Sequence, residues 1–184
     1  FSEVVLGYRK RFADLDAMNE TLIRNWNDTV PEDGVVFHLG DFAPDTPKEK
    51  MIELLNRLNG TILLIKGNHD DVSDYRYQQL FHEICDYKEM HDTIGKEHYS
   101  LVLSHYPIFS WRNMGRGRIL LYGHTHESEE DRFYQKCLSE MRANDCRHVY
   151  EAEELRAYNV GCMRDYINYT PRTLEEILNS RSKV

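Results

Sequence analysis

Two short apolar runs, Val35-Val36-Phe37-His38-Leu39 and Thr61-Ile62-Leu63-Leu64-Ile65, each run into a glycine followed by polar side chains, with an amphipathic stretch between them. Apolar runs of that length between turn signals form buried strands rather than helices. In the stretch between, Thr46-Pro47-Lys48-Glu49 has capping-box spacing with proline at the first helical position. Met51, Leu54, Leu55 and Leu58 supply the apolar stripe of this helix, and Gly60 closes it. A strand, a helix and a second strand joined in this way are parallel, with a right-handed crossover. Gly40-Asp41 and Gly67-Asn68-His69-Asp70 must therefore leave the sheet at the same edge. Open α/β sheets place their ligands at that edge, beyond the carboxyl ends of the strands.

The rest of the chain repeats the pattern. Before the first strand, Asp14 is placed to cap a helix over residues 14–30 in which Met18, Leu22, Trp26 and Val30 recur every fourth position. After the second, residues 73–84 read as a short helix with Tyr77, Leu80, Phe81 and Ile84 on its apolar face. Residues 87–94 and 99–103 flank Gly95-Lys96 as an antiparallel hairpin whose second arm ends at His105. Residues 119–122 form another strand, which ends in Gly123-His124-Thr125-His126. Residues 128–148 predict a charge-rich surface helix with Phe133, Tyr134, Cys137, Leu138 and Met141 at helical spacing. A late strand over 157–162 and a last helix opened by the capping box Thr173-Leu174-Glu175-Glu176 complete an α/β chain.

Composition narrows the function classes. At 184 residues the length suits one domain with one sizeable core. The net charge of −8 argues against a broad nucleic-acid footprint, because such affinity comes from lysine and arginine neutralising phosphates. No apolar run approaches the roughly 18 to 20 residues of a membrane span. Cys85, Cys137, Cys146 and Cys162 show no C-x-x-C pairing, so a reducing cytoplasm is the expected compartment.

The strand-end groups share one chemistry. Alternate side chains of a strand face the same side, so His124 and His126 can reach one site. Imidazole, carboxylate and amide oxygen together suit divalent first-row metals, and the lack of a cysteine cluster speaks against a purely structural zinc site. Taken singly, His105 also fits a structural histidine, Asp41 a turn cap and Gly-His-x-His a surface loop.

In this order, Gly40-Asp41, Gly67-Asn68-His69-Asp70, His105 and Gly123-His124-Thr125-His126 resemble the calcineurin-like metallophosphoesterase superfamily. The context, with a helix ahead of His38-Leu39-Gly40-Asp41, is similar to a group of small bacterial and phage phosphoesterases. The resemblance implies an α/β fold of two packed mixed β-sheets flanked by helices. It also implies two divalent metal ions, manganese first with iron, zinc or nickel as alternatives. The reaction implied is hydrolysis of a phosphomonoester or phosphodiester by a hydroxide bridging the metals, the substrate being a phosphate-ester small molecule or a nucleotide.

Carried over by position, Asp41 would bridge the metals, Asn68, His105 and His124 would hold one, and His126 would help hold the other. His69 would protonate the leaving oxygen, and Asp70 would orient its ring. Arg112 and Arg116, with Arg118, read either as a substrate clamp or as solvated loop arginines, and Lys66 is in the same position. The family's Asp-x-His motif is not in this sequence, although Phe1-Ser2-Glu3 resembles the residues that follow it. The expectation is therefore a single domain over residues 1–184 whose first strand lies upstream of Phe1. A non-catalytic metal-binding scaffold or interaction protein on the same fold is the alternative, and retention of His69 and Asp70 weighs against it.

Overall fold

The computed structural model describes residues 12–44, 46–145 and 148–181. The expectation attached to Phe1-Ser2-Glu3 lies outside them, as does Cys146. Helix α1 (Leu15–Thr29) starts where Asp14 Oδ1 accepts the Ala17 amide at 2.7 Å, and it buries Met18, Ile23 and Trp26. It stops before Pro31, which cannot continue a helical ladder, and Val30 is already extended.

Strand β1 (Val35–His38), helix α2 (Lys48–Leu55) and strand β2 (Thr61–Ile65) form the expected unit, with Val36 opposite Ile62 in a parallel ladder. The capping box anticipated at 46–49 does not form: the Thr46 hydroxyl donates to the Pro44 carbonyl at 3.3 Å, and no side chain caps α2. The helix also ends at Leu55, short of Leu58. Gly60 serves a different purpose, since at φ +84° a Cβ there would sit 2.8 Å from the Gly34 carbonyl oxygen.

The helix anticipated over 73–84 shrinks to α3 (Tyr75–Gln78), capped by Asp74, and Glu83–Cys85 becomes strand β3, parallel to β2. The ladder overrides local helical periodicity here: the His82 amide already donates to the Ile62 carbonyl at 2.9 Å, drawing the chain into the sheet. The hairpin of β4 (Tyr87–Ile94) and β5 (Glu97–Ser104) is present, and β6 (Ile119–Tyr122) and β7 (Ala157–Asn159) add to it in parallel. Strand β7 is shorter than the anticipated 157–162: the Gly161 amide donates to Asn159 Oδ1 at 3.0 Å and the chain turns there.

The result is a three-stranded sheet in the order β1-β2-β3, parallel throughout, and a mixed four-stranded sheet in the order β4-β5-β6-β7. They pack through Phe37, Leu39 and Ile65 of the first against Leu101, Leu103, Ile119 and Leu121 of the second. The outer face of the three-stranded sheet is covered by α1 and α2 through Trp26, Met51 and Leu54. Beyond the second sheet, Val102, Leu120 and Tyr122 lie under Trp111 and under Tyr134 and Leu138 of helix α4 (Glu129–Ala143). Phe133, expected on the apolar face of α4, is 68% exposed, and the buried face carries Asp131 instead. Helix α5 (Leu174–Arg181) opens with the capping box read from the sequence: the Glu176 amide donates to Thr173 Oγ1 at 3.2 Å, and the Thr173 amide to Glu176 Oε2 at 2.8 Å.

Candidate metal centre

The polar residues that end β1, β2, β5 and β6 meet at one edge of the two sheets. Close approach of the first two strand ends depends on glycine. A Cβ on Gly67 would stand 2.3 Å from Asp41 Oδ1, and one on Gly40, at φ +89°, would stand 2.5 Å from the Gly67 nitrogen. Asp41 itself has a left-handed backbone, φ 54°, which a non-glycine residue holds only when its surroundings enforce it. Asp70 does the enforcing. Its carboxylate accepts the amides of Asp41 at 2.7 Å, Gly67 at 2.9 Å and Phe42 at 3.0 Å, while Asp41 Oδ1 accepts the His69 amide at 2.8 Å.

His105, 2% exposed, is the hub. Its Nδ1 lies 2.6 Å from the Leu39 carbonyl oxygen. A carbonyl only accepts, so Nδ1 carries the hydrogen and Nε2 of the neutral ring is a bare lone pair. That lone pair faces Asn68 Oδ1 at 3.1 Å, His124 Nδ1 at 3.2 Å and Asp41 Oδ2 at 3.4 Å. Lone pairs converging from carboxylate, amide and imidazole repel one another unless a cation stands among them. Burial works against charge on His105, but its bonds to the Asp41 carboxylate and the Leu39 carbonyl outweigh it and hold the ring's pKa above its ordinary value. Burial likewise pushes Asp41 up, yet the bonds from His105 and the His69 amide bring its carboxyl below the usual range. Burial and the neighbouring His105 lower His124. Ligand atoms of Asp41, His105 and His124 all lie within 4.8 Å of one another, so the donor set fits a divalent metal by number, type and spacing.

The loop carrying His124 and His126 is also strained, with φ of 55° and 49° at the two histidines. Asp131, buried in the first turns of α4, holds it. Its Oδ1 accepts the Tyr122 hydroxyl at 2.6 Å, the Asn159 amide at 2.9 Å and the Thr125 hydroxyl at 3.0 Å. Asn159 then donates to the His126 carbonyl at 2.7 Å. Sequence reasoning passed over Asp131 as one charge among many. The available signal was its position: Asp131, Tyr134, Leu138 and Met141 share one helical face.

Four of the five anticipated metal ligands, Asp41, Asn68, His105 and His124, are thus brought together. His126 sits exposed on the same loop, outside the converging trio. The ring of His69 is exposed at the rim. Asp70 corrects the expectation that it orients that ring, because its carboxylate is taken up by three backbone amides. Arg112 pairs with Glu89 at 3.2 Å, Arg116 with Glu151 at 3.2 Å, and Lys66 with Asp86 at 2.8 Å; none of these partners belongs to the cluster.

Two sheets face to face between helices, with a carboxylate, an amide and imidazoles converging beyond the strand ends, define an α/β sandwich with a candidate metal site. The chain belongs to the calcineurin-like phosphoesterase superfamily, whose domain profile matches residues 17–173. It is 33% identical over 123 residues to the uncharacterized protein MJ1445 of Methanocaldococcus jannaschii, a match covering 66% of this chain and 61% of that protein's length. It is 28% identical to the Gene 66 protein of Mycobacterium phage D29, over 68% of this chain and 76% of the phage protein. In fold it resembles the crystal structure of the protein of unknown function AQ665 from Aquifex aeolicus, with a TM-score of 0.64 and 20% identity over 98% of this chain and 93% of that one.

Proposed function

We propose that the protein is a metal-dependent phosphoesterase that hydrolyses a phosphomonoester or phosphodiester of a small molecule or nucleotide. The observation that carries this reading is the convergence of Asn68 Oδ1, His124 Nδ1 and Asp41 Oδ2 on the bare Nε2 of buried His105, at 3.1 to 3.4 Å. These four residues would hold one ion, and Asp41 with His126 would contribute to a second, manganese being the first candidate. Bound divalent ions offset the charge of a phosphoryl group and acidify water. A local cationic centre of this kind also reconciles an anionic substrate with a chain of net charge −8.

The remaining tasks fall to the protein. Asp70 pins the Asp41 backbone through the amide bonds described above, so the shared carboxylate stays in place. The Tyr106 ring packs 4.9 Å from His105 and 4.5 Å from His124, measured between centroids, and fixes both imidazoles. His69 follows the Asn68 ligand directly and has its ring free of the fold's interior, so it can deliver a proton to the leaving oxygen.

The test uses the full-length protein, manganese and a nitrophenyl phosphodiester. Replacing His69 with alanine lowers kcat by about 10²- to 10⁴-fold, the usual contribution of a positioned acid. Manganese affinity stays within about twofold of the parent, since the role of His69 is proton delivery and not metal binding. Turnover unchanged by the substitution defeats the assignment, and tight metal binding without any turnover favours a scaffold.

A further inference from the structure

The arginine-rich loop that the sequence offered as a substrate clamp lines a cavity elsewhere. Strands β5, β6 and β7 run parallel, so their amino ends lie together at the end of the sheet opposite the metal centre. There a cavity of about 460 Å³ is lined by Arg116, Arg118 and Arg156, together with His98, Ser100 and Glu97. The two sites stand at opposite ends of β6. From Arg118 to Tyr122 is about 13 Å at a strand's rise of roughly 3.3 Å per residue.

The three guanidinium groups are incompletely matched. Arg118 is only 7% exposed; one of its terminal nitrogens bonds Glu89, while its buried Nε has no partner. A buried donor on a charged group left without an acceptor is costly. Arg156 donates to the Gly117 carbonyl at 2.8 Å and has no carboxylate partner among the described residues. Arg116 pairs with Glu151 at 3.2 Å, but both side chains are 68% exposed, and a solvated pair of that kind contributes little and is easily exchanged. The acid on the wall, Glu97, has Oε2 engaged by the Tyr99 hydroxyl at 2.5 Å. Planar guanidinium forks match the oxygens of phosphate, as of carboxylate, through paired hydrogen bonds.

We propose that this cavity is a second anion site, which binds the phosphate group of a small molecule through Arg118, Arg156 and Arg116. It is independent of whether the metal centre turns over substrate. The volume leaves room for an organic group beside the phosphate.

The experiment titrates the full-length protein, stripped of metal by chelation, with inorganic phosphate and with pyrophosphate by calorimetry. Chloride at matched ionic strength is the control. One equivalent of pyrophosphate binds, His124→Ala binds it as well as the parent, and Arg156→Gln weakens it at least tenfold. Manganese-dependent hydrolysis by Arg156→Gln stays within twofold of the parent. Arg118→Met abolishes binding, and if that variant does not fold, Arg116→Gln joined to Arg156→Gln supplies the same readout. Phosphate binding no tighter than chloride, affinity unchanged in Arg156→Gln, or loss of binding in His124→Ala overturns the proposal.

Discussion

Replacing Asp70 with alanine separates two accounts of the Gly67-Asn68-His69-Asp70 turn. Three backbone amides, of Asp41, Gly67 and Phe42, lose a charged acceptor at 2.7, 2.9 and 3.0 Å. A hydrogen bond to a charged group contributes about 1.5–3 kcal/mol, and the unmade ones cost most where water cannot reach. Asp70 is half-buried, so water recovers part of the loss. Two of the three bonds at the lower value give about 3 kcal/mol, roughly a 150-fold change in the folding equilibrium. Urea unfolding of the metal-free full-length protein measures it as a lower midpoint at unchanged slope. Manganese affinity falls with it, because the left-handed Asp41 backbone is no longer held. A loss under about 0.5 kcal/mol, or unchanged metal affinity with reduced kcat, refutes the bracing role and returns Asp70 to the His69 ring.

Other perturbations probe neighbouring parts of the argument. Gly67→Ala forces a Cβ to 2.3 Å from Asp41 Oδ1 and is expected to weaken manganese binding at least tenfold, measured by calorimetry. Asp131→Ala breaks a buried network of three bonds and lowers stability by about 3 kcal/mol in chemical unfolding. Asp74 has its carboxyl held down at about 2 by the bond from Arg76, with burial opposing. Its folded pKa lies below the unfolded value, so its stabilising effect is present above pH ~4 and is lost as pH falls through about 2. Carboxyl carbon shifts in an NMR titration follow the midpoint, and Arg76→Ala raises it towards 3.8, the ordinary value.

The strand ends were legible because each combines an apolar run with a ligand-type side chain, at three of the four directly after a glycine, a pattern set by local sequence. Asp41, Asn68, His105 and His124, which meet in one cluster, all came from such ends. What escaped depends on contacts distant in sequence. Glu83–Cys85 reads as the tail of a helix until the ladder with Leu63 to Ile65 is known. Asp70 sits beside His69 in the chain, yet its carboxylate turns to amides nearly 30 residues away, at Asp41 and Phe42. The arginines of the 112–118 loop follow a strand that ends at the candidate metal centre, but their partners, Glu89 and Glu151, lie on other parts of the chain. Charge on a loop carries no direction, and the sequence could not say which end of β6 those side chains would serve.

Turnover measured against bound metal tests the central claim most directly. The full-length protein, stripped by chelation, is loaded stepwise with manganese while metal occupancy and hydrolysis of a nitrophenyl phosphodiester are followed in the same samples. Activity is expected to be absent in the stripped protein, to rise in proportion to occupancy, and to disappear together with tight binding in His105→Ala. Hydrolysis that persists without metal, or full manganese occupancy in His105→Ala, contradicts a phosphoesterase centre built around His105.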